Sequence, residues 1–362
     1  MPTRRDLLAT GAGLAAAAAS RAEAAAGRGG YWPGASDWAK AAPGEAGMDP
    51  ARLSAALDAA MADRSVGLLV LRGGRIVAER YAQGTGPASP HQIASAAKSV
   101  VSVLVGVAID EGRIRGLEQS AADFIPAWRG TPKAAITLRH LLTMTSGLDI
   151  RGLKVRGITG DQFALDAAAP QNAPPGTVWA YATPMFHLLY HVLERATGEP
   201  FQAFAQRTLI GPLGMADTTW VTGAGQGAMG PVTNYYTASC SARDLARFGL
   251  FALRGGRWND RQLVSAAYMR AAVSPSQALN PAYGLLWWEN AEPGRGAAPS
   301  EQAPHYIFEG APRDAFAALG AGGQAVMVAP SRDLVVIRQG YAPAPAMLAT
   351  LLAAVCASAT RA

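Results

Sequence analysis

The position of the strand-like segments constrains the fold of this 362-residue chain more than any other feature, because these segments lie near its two ends. Runs typical of β-strands occur at residues 66–71 and 76–81, and again at 325–329 and 334–338. The link at 72–75 contains Gly-Gly, which favours a tight hairpin because both glycines can adopt positive φ. The sequence therefore predicts one hairpin near each end.

Between these two hairpins the pattern is mainly helical, and an Ala/Leu-rich helix at about 345–358 closes the chain. The simplest packing joins both ends into one antiparallel sheet flanked by helices, with a mainly helical lobe inserted between the strand-bearing ends. We expect this α+β fold to have a sheet lobe at about 45–90 and 275–362 and a helical lobe at about 91–274. A cleft between two lobes is the expected place for a ligand.

One helix can be placed before the first hairpin from its start signal and its apolar spacing. Asp49 is a good N-cap and Pro50 suits the first helical turn. Leu53, Leu57 and Met61 then recur at helical spacing, which predicts an apolar stripe facing the core.

Residues 1–26 have the three-part layout of a signal peptide. Arg4 and Arg5 are followed by an apolar stretch at 7–20 and by Ala-x-Ala spacing at 22–26. The arginine pair resembles a twin-arginine signal, so we expect a periplasmic or secreted protein with its mature domain at 27–362. The alternative is an Ala-rich helix that the mature protein retains.

Charge and residue spacing argue against several other classes of protein. The chain carries 32 Lys and Arg against 26 Asp and Glu, but the positive charges are scattered, so no nucleic-acid partner is expected. Cys240 and Cys356 lack metal-ligand spacing and are expected to be buried thiols rather than a disulfide. His187 and His191 are four apart but have no evident third ligand, so no metal or cofactor is expected. No segment reaches membrane-spanning length, and the sequence gives no signal for an oligomeric state.

The pattern Ser-x-x-Lys at 95–98 is the first candidate for chemistry. Three-residue spacing places Ser95 and Lys98 on one helix face, and the apolar run at 100–109 predicts that this helix is buried. A buried lysine has a lowered pKa and can take the proton of a serine nucleophile. Taken alone, the pattern equally fits a helix-capping serine and a surface lysine.

A second motif supports the functional interpretation. The turn Pro-Pro-Gly-Thr at 174–177 is followed by Tyr181-Ala182-Thr183 and a helix. With the serine motif, this arrangement resembles the serine β-lactamase-like superfamily, in particular its branch of class C β-lactamases, family VIII esterases and 6-aminohexanoate-dimer hydrolases. The resemblance extends over about residues 45–355. It includes motifs at 136–148, 188–198, 211–215, 244–249 and 283–288.

The resemblance implies that Ser95 is the nucleophile and that Lys98 and Tyr181 handle protons, with the choice of general base left open. The superfamily's Lys-Thr-Gly strand motif is missing, since residues 319–324 read Leu-Gly-Ala-Gly-Gly-Gln. The backbone N–H groups of Ser95 and Ala321 are the expected oxyanion donors, although Gly322 is an alternative to Ala321. Substrate is also expected to contact Thr183, Gly320 and Gly322.

These residues predict a serine hydrolase that cleaves a small-molecule ester or amide through an acyl-enzyme. Without the Lys-Thr pair the usual contact with a β-lactam carboxylate is missing, so β-lactamase or D,D-peptidase activity is the alternative within enzymes. A catalytically silent binding protein of the same fold is the alternative outside them. The sequence does not distinguish ester from amide substrates.

Overall fold

The structure is a computed structural model that describes residues 30–34, 37–149, 160–222, 232–234, 236–292, 307–344 and 346–359. Its α-helices are α1 (Pro50–Ala62), α2 (Ala97–Asp110), α3 (Leu138–Leu142), α4 (Gln162–Ala168), α5 (Thr183–Thr197), α6 (Phe201–Ala205), α7 (Gly211–Leu213), α8 (Ala242–Leu253), α9 (Ala266–Ala272) and α10 (Met347–Ser358). Its 3₁₀ turns are Ala94–Ala96, Ala121–Asp123, Pro126–Trp128, Pro132–Ala135 and Pro330–Arg332, and Gln206–Ile210 is π-helical. The predicted signal peptide at 1–26 lies outside the described residues.

The strands are β1 (Ser65–Arg72), β2 (Arg75–Tyr81), β3 (His91–Gln92), β4 (Gly160–Asp161), β5 (Thr219–Thr222), β6 (Val232–Thr233), β7 (Tyr236–Cys240), β8 (Arg257–Trp258), β9 (Arg261–Gln262), β10 (Trp288–Glu289), β11 (Phe316–Gly320), β12 (Gln324–Ala329) and β13 (Leu334–Gly340). The main sheet has six strands in the order β10-β11-β12-β13-β1-β2, and every neighbouring pair is antiparallel. The pairing of β13 with β1 brings the two strand-bearing ends of the chain together, and Val70 of β1 pairs there with Val336 of β13. The predicted α+β fold is therefore confirmed.

The sheet is covered on both faces, and the two-residue period of a strand sorts its side chains between them. On β1, Leu68 and Val70 join the core beneath α1 and α10, whereas Leu69 and Leu71 join the larger core that contains α2, α5 and α8. Burial on both faces explains why the central strands are almost continuously apolar in sequence.

Both predicted hairpins are present, with turns of the expected chemistry. Gly73 and Gly74 have φ of 59° and 81° between β1 and β2, as the Gly-Gly pair predicts. The turn between β12 and β13 closes through Asp333, which has φ of 48°.

Two strands of the sheet, β10 and β11, have no counterpart in the sequence prediction. Their signal is weak because β10 has only two residues and β11 reads Phe-Ala-Ala-Leu-Gly, with few β-branched or aromatic side chains. The β11 strand matters for the site because it packs against the Ala94–Ala96 turn.

The helix ends follow local chemistry. The Asp49 side chain caps α1 by accepting from the backbone N–H groups of Ala51 and Arg52 at 3.0 and 3.1 Å, as predicted. The closing helix α10 begins at Met347, slightly later than expected, after Ala346 adopts a left-handed φ of 63°.

Helix α2 occupies the centre of the larger core, and all its residues from 97 to 108 are buried. Gly106 makes this packing possible, because a Cβ there would lie 2.5 Å from the ring of Tyr268. A helix that is buried on every side needs such an environment.

The two cysteines and the membrane prediction can be assessed directly. Cys240 and Cys356 are both buried and free, as predicted. None of the helices in the described ranges combines the length and the hydrophobicity needed to span a bilayer.

Candidate active site

Ser95 lies in the 3₁₀ turn that leads into α2. Ala94, directly before it, has φ of 46°, a left-handed conformation that is strained for a residue with a Cβ. The turn is fixed by the fully buried Ile93, whose carbonyl accepts from the Ala96 N–H at 3.1 Å. The half-buried Ser95 side chain is thus presented from a rigid, strained turn at the start of a buried helix.

Lys98 lies directly beside Ser95, with its Nζ 2.9 Å from the serine Oγ. The lysine is only 2% exposed. Its Nζ also lies 3.4 Å from Thr183 Oγ1 and within 4.6 and 5.1 Å of the ring centres of Phe186 and Tyr181. The predicted pairing of Ser95 and Lys98 on one helix face is therefore present in the structure.

The surroundings of the amine are almost free of compensating charge. No carboxylate of the described ranges forms an ion pair with Lys98, and burial lowers its pKa from 10.5 to about 7. An amine with this pKa is uncharged in a large part of the molecules near neutral pH. It can then accept the proton of the Ser95 hydroxyl.

The Tyr181 ring lies beside the amine, on the loop that precedes α5. Its backbone neighbours are held by the motif before the Pro-Pro-Gly turn: Ala180 donates to the Met144 carbonyl at 3.0 Å, and Gly176 donates to the Thr145 carbonyl at 2.7 Å. Met144 is fully buried. This motif therefore positions the tyrosine loop rather than supplying a reactive group.

An aromatic cluster supports the Tyr181 ring. Trp288 stacks on it with ring centres 5.6 Å apart, and Tyr283 meets it edge-on at 6.0 Å. Trp179 and Trp287 are 2% and 0% exposed, so they are core residues. Trp288 is half-buried and forms part of the wall beside Tyr181.

The turn between β11 and β12 approaches the nucleophile closely. A Cβ on Gly320 would lie 3.1 Å from the Ser95 nitrogen and 2.2 Å from the Ile93 carbonyl oxygen, so only glycine permits this contact. Ala321 follows and is exposed, and Gly322 has φ of 79°. The segments that carry the two expected oxyanion donors, Ser95 and Ala321, therefore lie against each other in space.

Thr183 is the first residue of α5, and its hydroxyl faces the Lys98 amine. Its observed contact is with the amine, through the 3.4 Å distance described above. Its expected contact with substrate stays a prediction, as do those of Gly320 and Gly322.

Comparison with known families agrees with this geometry. A family model described as Beta-lactamase matches residues 53–339, from α1 to the end of β13. The chain belongs to the beta-lactamase family. The resemblance drawn from the sequence motifs is thereby confirmed.

Two curated proteins that are similar in sequence to this beta-lactamase-family chain are named as hydrolases. Esterase EstB from Burkholderia gladioli is 31% identical over an alignment of 207 residues, and the match covers 48% of this chain and 52% of the relative. A 6-aminohexanoate-dimer hydrolase from Paenarthrobacter ureafaciens is 26% identical over an alignment of 229 residues, and the match covers 57% of this chain and 56% of the relative. The matched part spans about half the length of these relatives.

Solved structures support the fold over a longer stretch. A penicillin-binding protein homologue from Caulobacter crescentus superposes with a TM-score of 0.66 at 18% identity, covering 86% of this chain and 99% of that one. At this identity the similarity concerns the beta-lactamase-family fold.

Two buried ionisable residues of the main sheet were not predicted from the sequence. Arg338 on β13 is completely buried, and Glu289 on β10 is buried so deeply that its pKa is raised well above 4.5. A charged residue inside the apolar run Val-Val-Ile-Arg-Gln is the signal that could have drawn attention to Arg338.

The two histidines of α5 have carboxylate neighbours instead of metal-ligand geometry. His187 Nδ1 lies 3.5 Å from Asp166 Oδ2, and His191 Nδ1 lies 3.2 Å from Glu194 Oε2. In the described part of the chain, no group of three or more His, Cys, Asp or Glu residues could hold a metal ion.

A cavity of about 1110 Å³ lies in the helical region, with Trp128, Phe163 and Pro174 in its wall. Lys133 also lines it, but its Nζ donates to the Ala167 carbonyl at 2.8 Å. Ser95, Lys98 and Tyr181 are not among its lining residues, so it is separate from the site.

Proposed function

We propose that this protein is an exported serine hydrolase that cleaves an ester or linear amide bond through an acyl-enzyme on Ser95. One observation carries this proposal: the desolvated Lys98 amine lies 2.9 Å from the Ser95 hydroxyl, beside the Tyr181 ring. The proposed substrate cleft lies between the sheet lobe, at about 45–90 and 275–362, and the helical lobe, at about 91–274.

Acylation begins when Ser95 Oγ attacks the substrate carbonyl carbon and its proton passes to Lys98 or to Tyr181. The new Oγ–C bond forms a tetrahedral intermediate whose negative oxygen accepts from the N–H groups of Ser95 and Ala321. Each such donor contributes on the order of 3 kcal/mol. The intermediate then collapses, the bond to the leaving alcohol or amine breaks, and the leaving group takes the proton.

Deacylation repeats these steps with water. A water molecule gives a proton to Lys98 or Tyr181 and attacks the acyl carbon, and the Oγ–C bond breaks as the proton returns to Ser95. The products are a carboxylic acid and the regenerated enzyme, so neither a cofactor nor a metal takes part in the proposed reaction.

The substrate class follows from what the β11–β12 turn lacks. Residues 319–324 provide no lysine or threonine side chain to contact a β-lactam carboxylate. The turn offers glycine and alanine instead, which suits an uncharged ester or amide lying along the strand. The named activities of EstB and of the 6-aminohexanoate-dimer hydrolase are consistent with this choice.

Export is proposed from the layout of residues 1–26. The arginine pair at Arg4 and Arg5 directs the protein to the twin-arginine route, which carries proteins that are already folded. Replacing both by lysine is expected to leave the protein in the cytoplasm. Cell fractionation with immunodetection checks this, and a periplasmic double variant would contradict it.

The main experiment is a panel of p-nitrophenyl esters, short linear amides and nitrocefin, assayed with wild type and Ser95→Ala. We expect turnover of an ester or amide, little turnover of nitrocefin, and loss of activity in the variant by roughly 10³-fold or more. A fluorophosphonate probe should label only the wild type. Nitrocefin turnover above that of every ester and amide favours a β-lactamase, and absent labelling with absent turnover favours a silent binding protein.

A further inference from the structure

Arg338 lies on β13 with no exposed surface. Two glycines make room for its guanidinium, because a Cβ on Gly323 would lie 2.5 Å from Nη1 and a Cβ on Gly340 would lie 2.7 Å from Nη2. An arginine this deeply buried is rare unless its donors are satisfied.

Neutral oxygen atoms satisfy those donors. Nε donates to Ser65 Oγ at 3.0 Å, and Nη2 donates to the carbonyls of Asp63 and Tyr341 at 3.0 and 2.9 Å. Nη1 donates to the carbonyls of Gly322 and Gly323 at 2.6 and 3.0 Å. The last two bonds are made to the turn that carries Ala321.

These bonds continue through the turn in a fixed order. The peptide group that offers the Gly322 carbonyl to Arg338 also carries the Gly323 N–H, which donates to the Gly320 carbonyl at 3.1 Å. The peptide group of that Gly320 carbonyl carries the N–H of Ala321. Two peptide groups therefore connect the guanidinium to the N–H that the proposed function assigns to the oxyanion.

Hydrogen bonds in such a chain polarise one another, by about 10–30% per bond. A cation at one end draws electron density along both peptide groups and makes the terminal N–H a stronger donor. The same bonds also fix the orientation of the turn, so the donor needs no reorganisation when negative charge develops.

We infer that Arg338 is a positioning residue that orients and polarises the Ala321 N–H for the tetrahedral intermediate. This inference rests on the proposed function, since it requires a serine acyl-transfer reaction. The guanidinium supplies positive charge from beneath the turn, in a chain whose residues 319–324 contain no cationic side chain.

The test compares Arg338→Lys and Arg338→Met with wild type, using the best ester of the panel and phenylboronic acid. The boronate forms a tetrahedral adduct on serine whose oxygen mimics the intermediate. We expect Arg338→Lys to lower kcat roughly tenfold and boronate affinity by a similar factor with little change in KM, because a donor is weakened rather than removed. Arg338→Met should lose more in both measurements.

Arg72→Lys is the matched control, because Arg72 lies in the same sheet. Its guanidinium donates to the Arg332 carbonyl, near the start of β13, whereas Arg338 lies near the end of that strand. The control variant should leave kcat and boronate affinity close to wild type. A merely structural role for Arg338 would lower the melting temperature without changing boronate affinity relative to KM. A folded Arg338→Lys protein with wild-type kcat and wild-type boronate affinity would overturn the inference.

Ser65→Ala keeps the inference testable should both Arg338 variants fail to fold, since it leaves the guanidinium in place. It removes the acceptor of Nε and also the bond from Ser65 Oγ to the Ala60 carbonyl. It should lower kcat and boronate affinity by roughly twofold, and a folded variant unchanged in both counts against the inference. Ser95→Ala separates this outcome from failure of the proposed function. If Ser95→Ala keeps full activity, the proposed function itself is wrong.

Discussion

Two buried basic residues of this protein, Lys98 on α2 and Arg338 on β13, differ in how many hydrogen bonds stabilise their charge. Lys98 is 2% exposed and contacts two hydroxyl groups and two aromatic rings. Arg338 is 0% exposed and donates to five oxygen atoms. Neither forms an ion pair with a carboxylate in the described part of the chain.

The difference shows how the surroundings of a cation decide whether it can take part in proton transfer. With few hydrogen bonds, Lys98 is stabilised so little that burial lowers its pKa to about 7. Arg338 also has a lowered pKa because of burial, but a guanidinium starts so high that it keeps its proton. One residue can therefore exchange a proton and the other provides a permanent charge.

The largest expected effect comes from removing the titratable cation. Lys98→Met should lower kcat/KM by roughly 10³-fold, since general acid–base catalysis contributes about 10²–10⁴-fold. Steady-state assays on the best ester measure it. Lys40→Met is the control, because Lys40 is exposed and pairs with Glu79 far from the site. A Lys98→Met enzyme close to wild type in activity would remove Lys98 from the mechanism.

The same substitution should stabilise the protein at acidic pH. Between about pH 7 and 10.5 the unfolded chain holds a proton on Lys98 that the folded chain has lost, so stability rises with pH across this window. Below it the folded protein carries the full penalty of a buried charge. Lys98→Met removes this penalty and should gain on the order of 5 kcal/mol near pH 6.

Denaturant unfolding of both proteins at acidic and alkaline pH measures this effect as a difference between curves. The advantage of Lys98→Met should shrink as the pH approaches 10.5. An advantage that stays constant with pH would mean that packing, rather than charge, distinguishes the two proteins.

The pH profile of catalysis should report the same group. If Lys98 is the general base, its neutral amine is the active form, and kcat/KM should be level above about pH 7 and fall about tenfold per pH unit below it. Arg338→Lys should lower the plateau value of kcat/KM and leave the pH midpoint of the profile unchanged. A midpoint that moves with the residue at 338 would show that the two cations are not independent.

The smallest effect concerns one of the two hydroxyl groups beside the amine. Thr183→Val removes an oxygen that lies 3.4 Å from the Lys98 Nζ. The charged amine then loses a stabilising contact, so the acidic midpoint of the kcat/KM profile should move down by a few tenths of a pH unit. Thr183→Ser keeps the oxygen and should match wild type. The pH profiles of the three proteins decide, and an upward shift in Thr183→Val would contradict this account of the amine.

Local sequence patterns predict the features that depend on neighbouring residues. The Gly73-Gly74 hairpin, the Asp49 cap and the Ser95–Lys98 pair all follow from short spacing, and the structure has each of them. The shared sheet was predictable because strands at both chain ends need partners. Tyr181 came from its family motif and not from spacing.

The features that escaped prediction depend on contacts between distant parts of the chain. Strand β11 has little β-propensity of its own and is recognised only through its pairing with β12. The hydrogen bond from Arg338 to Ser65 joins residues that are 273 apart in sequence, so no local sequence pattern predicts it. The approach of Gly320 to the Ser95 turn is likewise visible only in three dimensions.

The pairing of β1 with β13 has a consequence for how the protein is made. At roughly 5–20 residues per second, a ribosome releases β1 many seconds before the strand that must lie beside it. A chain that stops short of β13 leaves the side of β1 away from β2 unpaired, a template for aggregation, and it also lacks Arg338. Only a polypeptide that has been translated past β13 can therefore assemble a complete site.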